Sequence, residues 1–161
     1  MNEVNFHLGI KAIVINSQKK ILLLLTDENA TNNGSYWDLP GGRVQASSTD
    51  FNATKSVIET LKREVLEETG LTIEEKSITR IDYLPTDITI PNGSERVGLI
   101  FGVYRCICHE NQTIQLSNEH KDYKWVTRYE AAKLMKSRIP ERVFLQKTIT
   151  IGKLRLTWSI V

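Results

Sequence analysis

Between Asn52 and Leu71 the chain combines a helical apolar stripe with a run of acids that a helix end does not favour. Val57, Leu61 and Val65 recur at i, i+4 and i+8, with Ile58 and Leu66 beside them, and Gly70 follows at the usual stop position. This predicts a helix from about Asn52 to Thr69, with Asp50 as a candidate cap. Its last turns read Arg63-Glu64-Val65-Leu66-Glu67-Glu68-Thr69. Residues three and four apart share a helix face, so Glu64, Glu67 and Glu68 project together while Val65 and Leu66 turn to the core. Three carboxylates on one face repel one another, and the helix macrodipole disfavours negative charge at its C-terminus. A divalent cation would resolve that conflict. Mg²⁺ suits it, being a hard ion that takes carboxylate, water and phosphate oxygens. Taken alone, the string is a solvated acidic face with Lys62 and Arg63 as counter-ions.

Two further features change that reading. Upstream lies Trp37-Asp38-Leu39-Pro40-Gly41-Gly42, a short strand stopped by a tight turn whose glycines let backbone approach a ligand closely. Downstream, Glu119 stands six residues before Trp125. With these in place the sequence resembles the Nudix hydrolase family, whose signature is G-x5-E-x7-R-E-U-x-E-E-x-G-U, U being a bulky aliphatic residue. Arg63, Glu64, Val65, Glu67, Glu68, Gly70 and Leu71 match its second half, and Gly42 stands as its first glycine. The match departs from the signature in one place. Gly42 and Arg63 lie 21 positions apart rather than 14, so seven residues are inserted, within Ser47–Lys55. The first signature glutamate has no counterpart, since Ser48 or Lys55 would fill its place. Glu59, one turn before Arg63, or Asp50 from the loop can supply its support of the arginine.

The resemblance implies a single domain over residues 1–161, with the α/β/α sandwich of the family and a mixed β-sheet between helices. It implies hydrolysis of a phosphoanhydride in a nucleoside diphosphate linked to another group, with Mg²⁺, or Mn²⁺ in its place, as cofactor. Glu64 and Glu68 are then the main metal ligands, Glu67 a third ligand or an outer partner, and the Gly41 carbonyl a backbone ligand. Glu119 is a further ligand or the general base, and Arg63 orients the carboxylates. A nucleoside triphosphate pyrophosphatase of the MutT type ranks first. ADP-ribose, a nucleotide sugar or a dinucleoside polyphosphate are the alternative substrates. A non-catalytic nucleotide-binding module on the same fold is the alternative outside enzymes. An isomerase of the isopentenyl diphosphate type ranks lower, because both cysteines lie well downstream of the box.

The remaining sequence bounds these readings. There are 21 basic and 19 acidic residues, a balance that argues against a nucleic-acid partner. The longest apolar run, Ile21–Leu25, is too short to span a bilayer, and no secretory signal is visible at the N-terminus. A cytoplasmic monomer or homodimer acting on a small nucleotide is the expectation. Cys106 and Cys108 flank Ile107 and share a strand face, which disfavours a disulfide between them. Strands are predicted at Asn5–Asn16, Ile21–Leu25, Tyr36–Leu39, Ile78–Leu84, Val97–Cys108 and Tyr123–Thr127. Helices are predicted at Arg128–Met135 and Pro140–Thr148, and Leu154–Val161 is ambiguous. His7, His109 and His120 lack metal-ligand spacing. Tyr36, Arg43 and Arg96 are candidate substrate contacts, and Trp37 and Trp125 are candidate core or stacking residues.

Overall fold

The computed structural model describes residues 5–29, 34–45, 52–136 and 138–145. β1 (Phe6–Ile15) and β2 (Ile21–Thr26) form the expected antiparallel hairpin, joined in register at Ile15 and Ile21. β3 (Trp37–Asp38) pairs with β2 through Leu24 and Leu25. The chain then continues along β1: the Ala12 N–H donates to the Pro40 carbonyl, Ile10 N–H to Gly42, and Val44 N–H to Leu8. Residues 37–44 are thus wedged between the two splayed strands of the hairpin. β4 (Thr79–Asn92) and β5 (Glu95–Ile107) form a long antiparallel hairpin, and β5 runs parallel to β1. β6 (His120–Val126) closes the other edge of β2, giving, among the described residues, a six-stranded mixed sheet of order β3-β2-β1-β5-β4 with β6 on β2.

Strand alternation sends neighbouring side chains to opposite faces, and each face has its own core. Ile10, Ala12, Val14, Leu22 and Leu24 pack with Val57, Leu61 and Val65 of α1 (Ala53–Thr69). Ile13, Ile21, Leu23, Val103 and Val126 pack with Ala131, Ala132 and Met135 from α2 (Arg128–Leu134) and its end, and with Val143 and Phe144 of α3 (Glu141–Leu145). The result is the α/β/α sandwich expected. β2 is buried along its length, as its unbroken apolar run requires. Cys106 and Cys108 are free and buried, and burial pushes the Cys106 thiol up to about 12. No helix among the described residues is long and apolar enough to cross a membrane.

Several boundaries move for physical reasons. β4 runs on past Leu84 because β-bulges between Arg80 and Asp82 and between Pro85 and Thr89 absorb the irregular stretch. As the sheet's edge strand it tolerates Pro85 and Pro91. β6 starts at His120, three residues earlier than expected, because a register shift lets His120 pair with Thr26. Leu66 is not in the core: it is 49 % exposed. Asn52 caps α1, its Oδ1 accepting the Lys55 N–H at 3.0 Å, and Ala53–Lys55 already form helix. The expectations for Asp50, Ser48 and the tail beyond Leu145 lie outside the described residues.

Candidate active site

Glu64 stands seven residues after Val57, and Glu68 seven after Leu61. Seven residues are almost two full turns, so both acids continue the apolar rows of α1 toward the sheet. Glu68 is accordingly buried at 9 % exposure, in a position where a core side chain would sit. Its Oε2 accepts the Gly41 N–H at 2.9 Å. Burial pushes the Glu68 carboxyl up to about 8; the Gly41 N–H and Lys11 oppose the rise, and Glu64 and Asp38 add to it.

The two turn glycines make this approach possible in different ways. Gly41 has φ +147°, and a Cβ there would fall 2.1 Å from the Ile10 carbonyl oxygen. A Cβ on Gly42 would fall 2.3 Å from Glu64 Oε1. The backbone of the turn therefore lies directly against the Glu64 and Glu68 carboxylates.

Arg63 Nη2 donates to Glu64 Oε1 at 2.6 Å and Nη1 to Glu67 Oε2 at 2.7 Å. The guanidinium bridges two acids of its own helix. Glu59 does not serve Arg63; it faces Lys55 at 3.9 Å on an exposed surface. Glu67 is turned outward to Arg63, with its side chain 55 % exposed.

The end of α1 is closed by the segment that leads to Glu119. Gly70, at φ +71°, donates its N–H to the Leu66 carbonyl, while Gln115 and Ser117 N–H groups satisfy the carbonyls of Thr69 and Glu68. The Glu119 carbonyl accepts the Asp27 N–H at 2.9 Å, which fixes its backbone beside β2, while the residue stays exposed. His120 is half-buried with Nδ1 3.3 Å from Ser117 Oγ. Burial holds its imidazole below the ordinary value, against the opposing pull of Glu119 and Asp38.

The structure thus brings together Gly41, Gly42, Glu64 and Glu68, with Arg63 behind them. It does not draw Glu67 and Glu119 into the same cluster. Among the described residues no three His, Cys, Asp or Glu side chains converge closely enough to hold a metal by themselves. A cation here would take the Glu64 and Glu68 carboxylates and complete its shell with backbone, water and ligand oxygens. The donor set fits one: a buried acid beside a second acid, both hard oxygen donors.

One pair was not legible in the sequence as part of the site. Lys11 and Asp38 lie 2.7 Å apart, with side chains only 11 % and 15 % exposed. Lys11 stands mid-strand in β1, and a lysine among buried apolar residues was the available signal.

Phe6, His7, Leu8, Tyr83, Pro85 and Ile100 line a cavity of about 350 Å³ that is almost wholly apolar. Leu8 is two residues along β1 from Ile10, the partner of Gly42. At about 3.3 Å per strand residue, the Leu8 backbone lies roughly 7 Å along β1 from Ile10. Arg43 bridges to Gly9 on the same stretch. Tyr36 stacks under Arg138, and Arg96 is held by Thr89 in the β4–β5 hairpin. Trp37 carries Lys124 over its ring and packs on the α2–α3 core, while Trp125 packs on the α1 core.

The NUDIX domain profile matches residues 5–147. The chain is similar to the MutT protein from Methanosarcina mazei Go1, at 25 % identity and TM-score 0.64, over 89 % of this chain and 94 % of that one. It shares its fold with a Caenorhabditis elegans Ap4A hydrolase, at 17 % identity and TM-score 0.53, over 86 % and 92 % of the two chains. It also shares its fold with the NUDIX domain of Shewanella oneidensis NrtR, solved with ADP ribose, at 16 % identity and TM-score 0.55, over 81 % and 78 %. No significant match is found among curated proteins. With the profile covering most of the chain and the acidic helix end packed on the glycine turn, this protein belongs to the Nudix family, as a hydrolase with pyrophosphatase-type activity on nucleoside diphosphate derivatives.

Proposed function

We propose that the protein is a Mg²⁺-dependent nucleoside triphosphate pyrophosphatase, with Mn²⁺ able to replace Mg²⁺. Nudix hydrolases in general use divalent metal ions. The observation that carries the reading is the buried Glu68 carboxylate, held by the Gly41 N–H beside Glu64. Glu64 and Glu68 would hold the metal, with the Gly41 carbonyl as a backbone donor. When bound, the metal offsets phosphate charge and lowers the pKa of a water.

This chain's own residues do the rest. Arg63 keeps Glu64 and Glu67 in place through two charge-assisted hydrogen bonds. Glu67 stays an outer partner of Glu64 through the shared guanidinium. Glu119, exposed where its backbone is fixed beside β2, accepts the proton of the attacking water or supplies a further metal oxygen. The apolar wall of Phe6, Leu8, Tyr83, Pro85 and Ile100 receives the base, and burying its rings contributes about 25 cal/mol per Å². Water adds to one phosphorus as the bridging P–O bond breaks, giving nucleoside monophosphate and pyrophosphate.

The test is a panel of nucleoside triphosphates, ADP-ribose, nucleotide sugars and dinucleoside polyphosphates, with Mg²⁺ and with EDTA, followed by product chromatography. Pyrophosphate from a triphosphate, abolished by EDTA, is the expected result. Hydrolysis confined to ADP-ribose, a nucleotide sugar or a dinucleoside polyphosphate overturns the substrate assignment. Tight nucleotide binding without any hydrolysis overturns the enzyme reading in favour of a binding module.

A further inference from the structure

We propose that Lys11, paired with Asp38, is a positioning residue of this site: it straps the Leu39–Gly42 turn so that the backbone of Gly41 and Gly42 stays against the Glu64 and Glu68 carboxylates. The inference rests on the site reading above and deepens it.

Lys11 Nζ makes two bonds into the segment that forms the turn, to Asp38 Oδ2 at 2.7 Å and to the Leu39 carbonyl at 3.3 Å. Its ammonium lies 5.4 Å from the centre of the Phe101 ring, which closes its far side. Asp38 is held in turn: its Oδ1 accepts the Leu39 N–H at 2.8 Å. Two residues on, Gly41 donates to Glu68. The strap therefore anchors the segment immediately ahead of the two glycines that meet the acids.

The charge of Lys11 has a second effect. Its ammonium is paired with the Asp38 carboxylate, three residues ahead of the glycine that donates to Glu68. A fixed ammonium in a site rich in carboxylates lowers the repulsion among them. At 11 % exposure its side chain is placed to hold the turn, not to reach a ligand in solvent. Neutralising Lys11 alone strands the Asp38 carboxylate next to Glu68, whereas neutralising both partners removes that burden and leaves only the lost strap. That contrast separates positioning from plain structural pairing.

The test uses the full chain as wild type, Lys11→Met, Lys11→Arg and the double variant Lys11→Met/Asp38→Asn. Four measurements are made: melting temperature, Mn²⁺ affinity by calorimetry, amide exchange at Gly41 and Gly42, and kcat and KM on the best panel substrate. Lys11→Met should weaken Mn²⁺ binding about 10-fold and lower kcat between about 10- and 100-fold, with KM shifted less than about threefold. Exchange at Gly41 should quicken. The double variant should recover the melting temperature but neither Mn²⁺ affinity nor kcat, and Lys11→Arg should recover part of both. Recovery of affinity and kcat together with stability in the double variant overturns the proposal, as does unchanged Gly41 exchange in Lys11→Met. A wild type that neither binds Mn²⁺ nor hydrolyses any panel member defeats the site reading instead, and Gly41 exchange then decides the strap by itself.

Discussion

The two halves of α1 lie on one stripe of one helix, yet they are built to different ends. From Asn52 to Leu61 the helix follows the rules of stability: a side-chain cap on the Lys55 N–H, then Val57 and Leu61 buried against β1 and β2. From Arg63 to Gly70 it breaks them. Three glutamates stand in the last two turns, the last turn carries no basic residue, and one acid occupies a core position. The same geometry that drives Val57 and Leu61 inward drives Glu64 and Glu68 inward seven residues later. A helix end that gives up stability in this way marks the part of the molecule kept for chemistry.

The largest effect should come from the acids. Glu68→Gln and Glu64→Gln should each lower turnover by roughly a hundredfold or more, beyond the usual cost of losing an outer partner, while the variants stay folded by circular dichroism. Glu68→Gln should also be at least as stable as wild type in EDTA. The sign follows from the carboxyl at about 8 in the folded chain against an ordinary 4.5: the folded state binds the extra proton between those values. Its contribution to stability is complete below about 4.5 and is lost as the pH rises through 8. Melting curves from pH 5 to 9 should therefore fall over that range for wild type and stay flatter for Glu68→Gln. A wild type whose melting temperature climbs across that range would contradict a buried, proton-binding Glu68.

The N-terminal half should respond in the opposite currency. Leu61 is fully buried, so Leu61→Ala should cost about 2–5 kcal/mol in urea titration and leave kcat of the folded fraction nearly unchanged. A comparable loss of kcat would show that the two halves are not separable.

The glycine turn tests the border between them. Gly42→Ala places its Cβ against the end of the flexible Glu64 side chain, so the fold survives and the carboxylate moves. A loss of about tenfold in turnover is expected, with little change in melting temperature. Gly41→Ala meets the backbone oxygen of Ile10 instead and is strained at φ +147°, so it should lose stability as well as activity. Equal behaviour of the two variants would mean that the turn moves as a unit. The smallest effect belongs to the cap: Asn52→Ala should cost about 1 kcal/mol of stability with turnover intact.

How far the sequence could be read depended on the range of each interaction. The helix, its glycine stop and the inward rows of Glu64 and Glu68 follow from a 3.6-residue period acting within one element. Placing Leu66 in the core was an error of azimuth: Val65 takes the buried position, and one step of about 100° carries Leu66 to solvent. Arg63 was recognisable beside its acids, but its choice of Glu64 and Glu67 over Glu59 depends on side-chain rotamers that spacing does not specify. The extension of β4 through two prolines depended on bulges and an edge position, both of which belong to the sheet.

By itself the sequence determined the acidic helix end, the glycine turn, the alternation of both sheet faces and the family they identify, because each is a short-range pattern of residue types. Only the tertiary structure decided that residues 37–44 lie between β1 and β2, and through that that Lys11 meets Asp38 across 27 positions and Gly41 meets Glu68 across the same separation. Those contacts come from the splay of a hairpin and from which backbone hydrogen bonds it leaves open. No local pattern encodes them, since the partners become neighbours only when the third segment takes up the bonds that β1 and β2 do not make with each other.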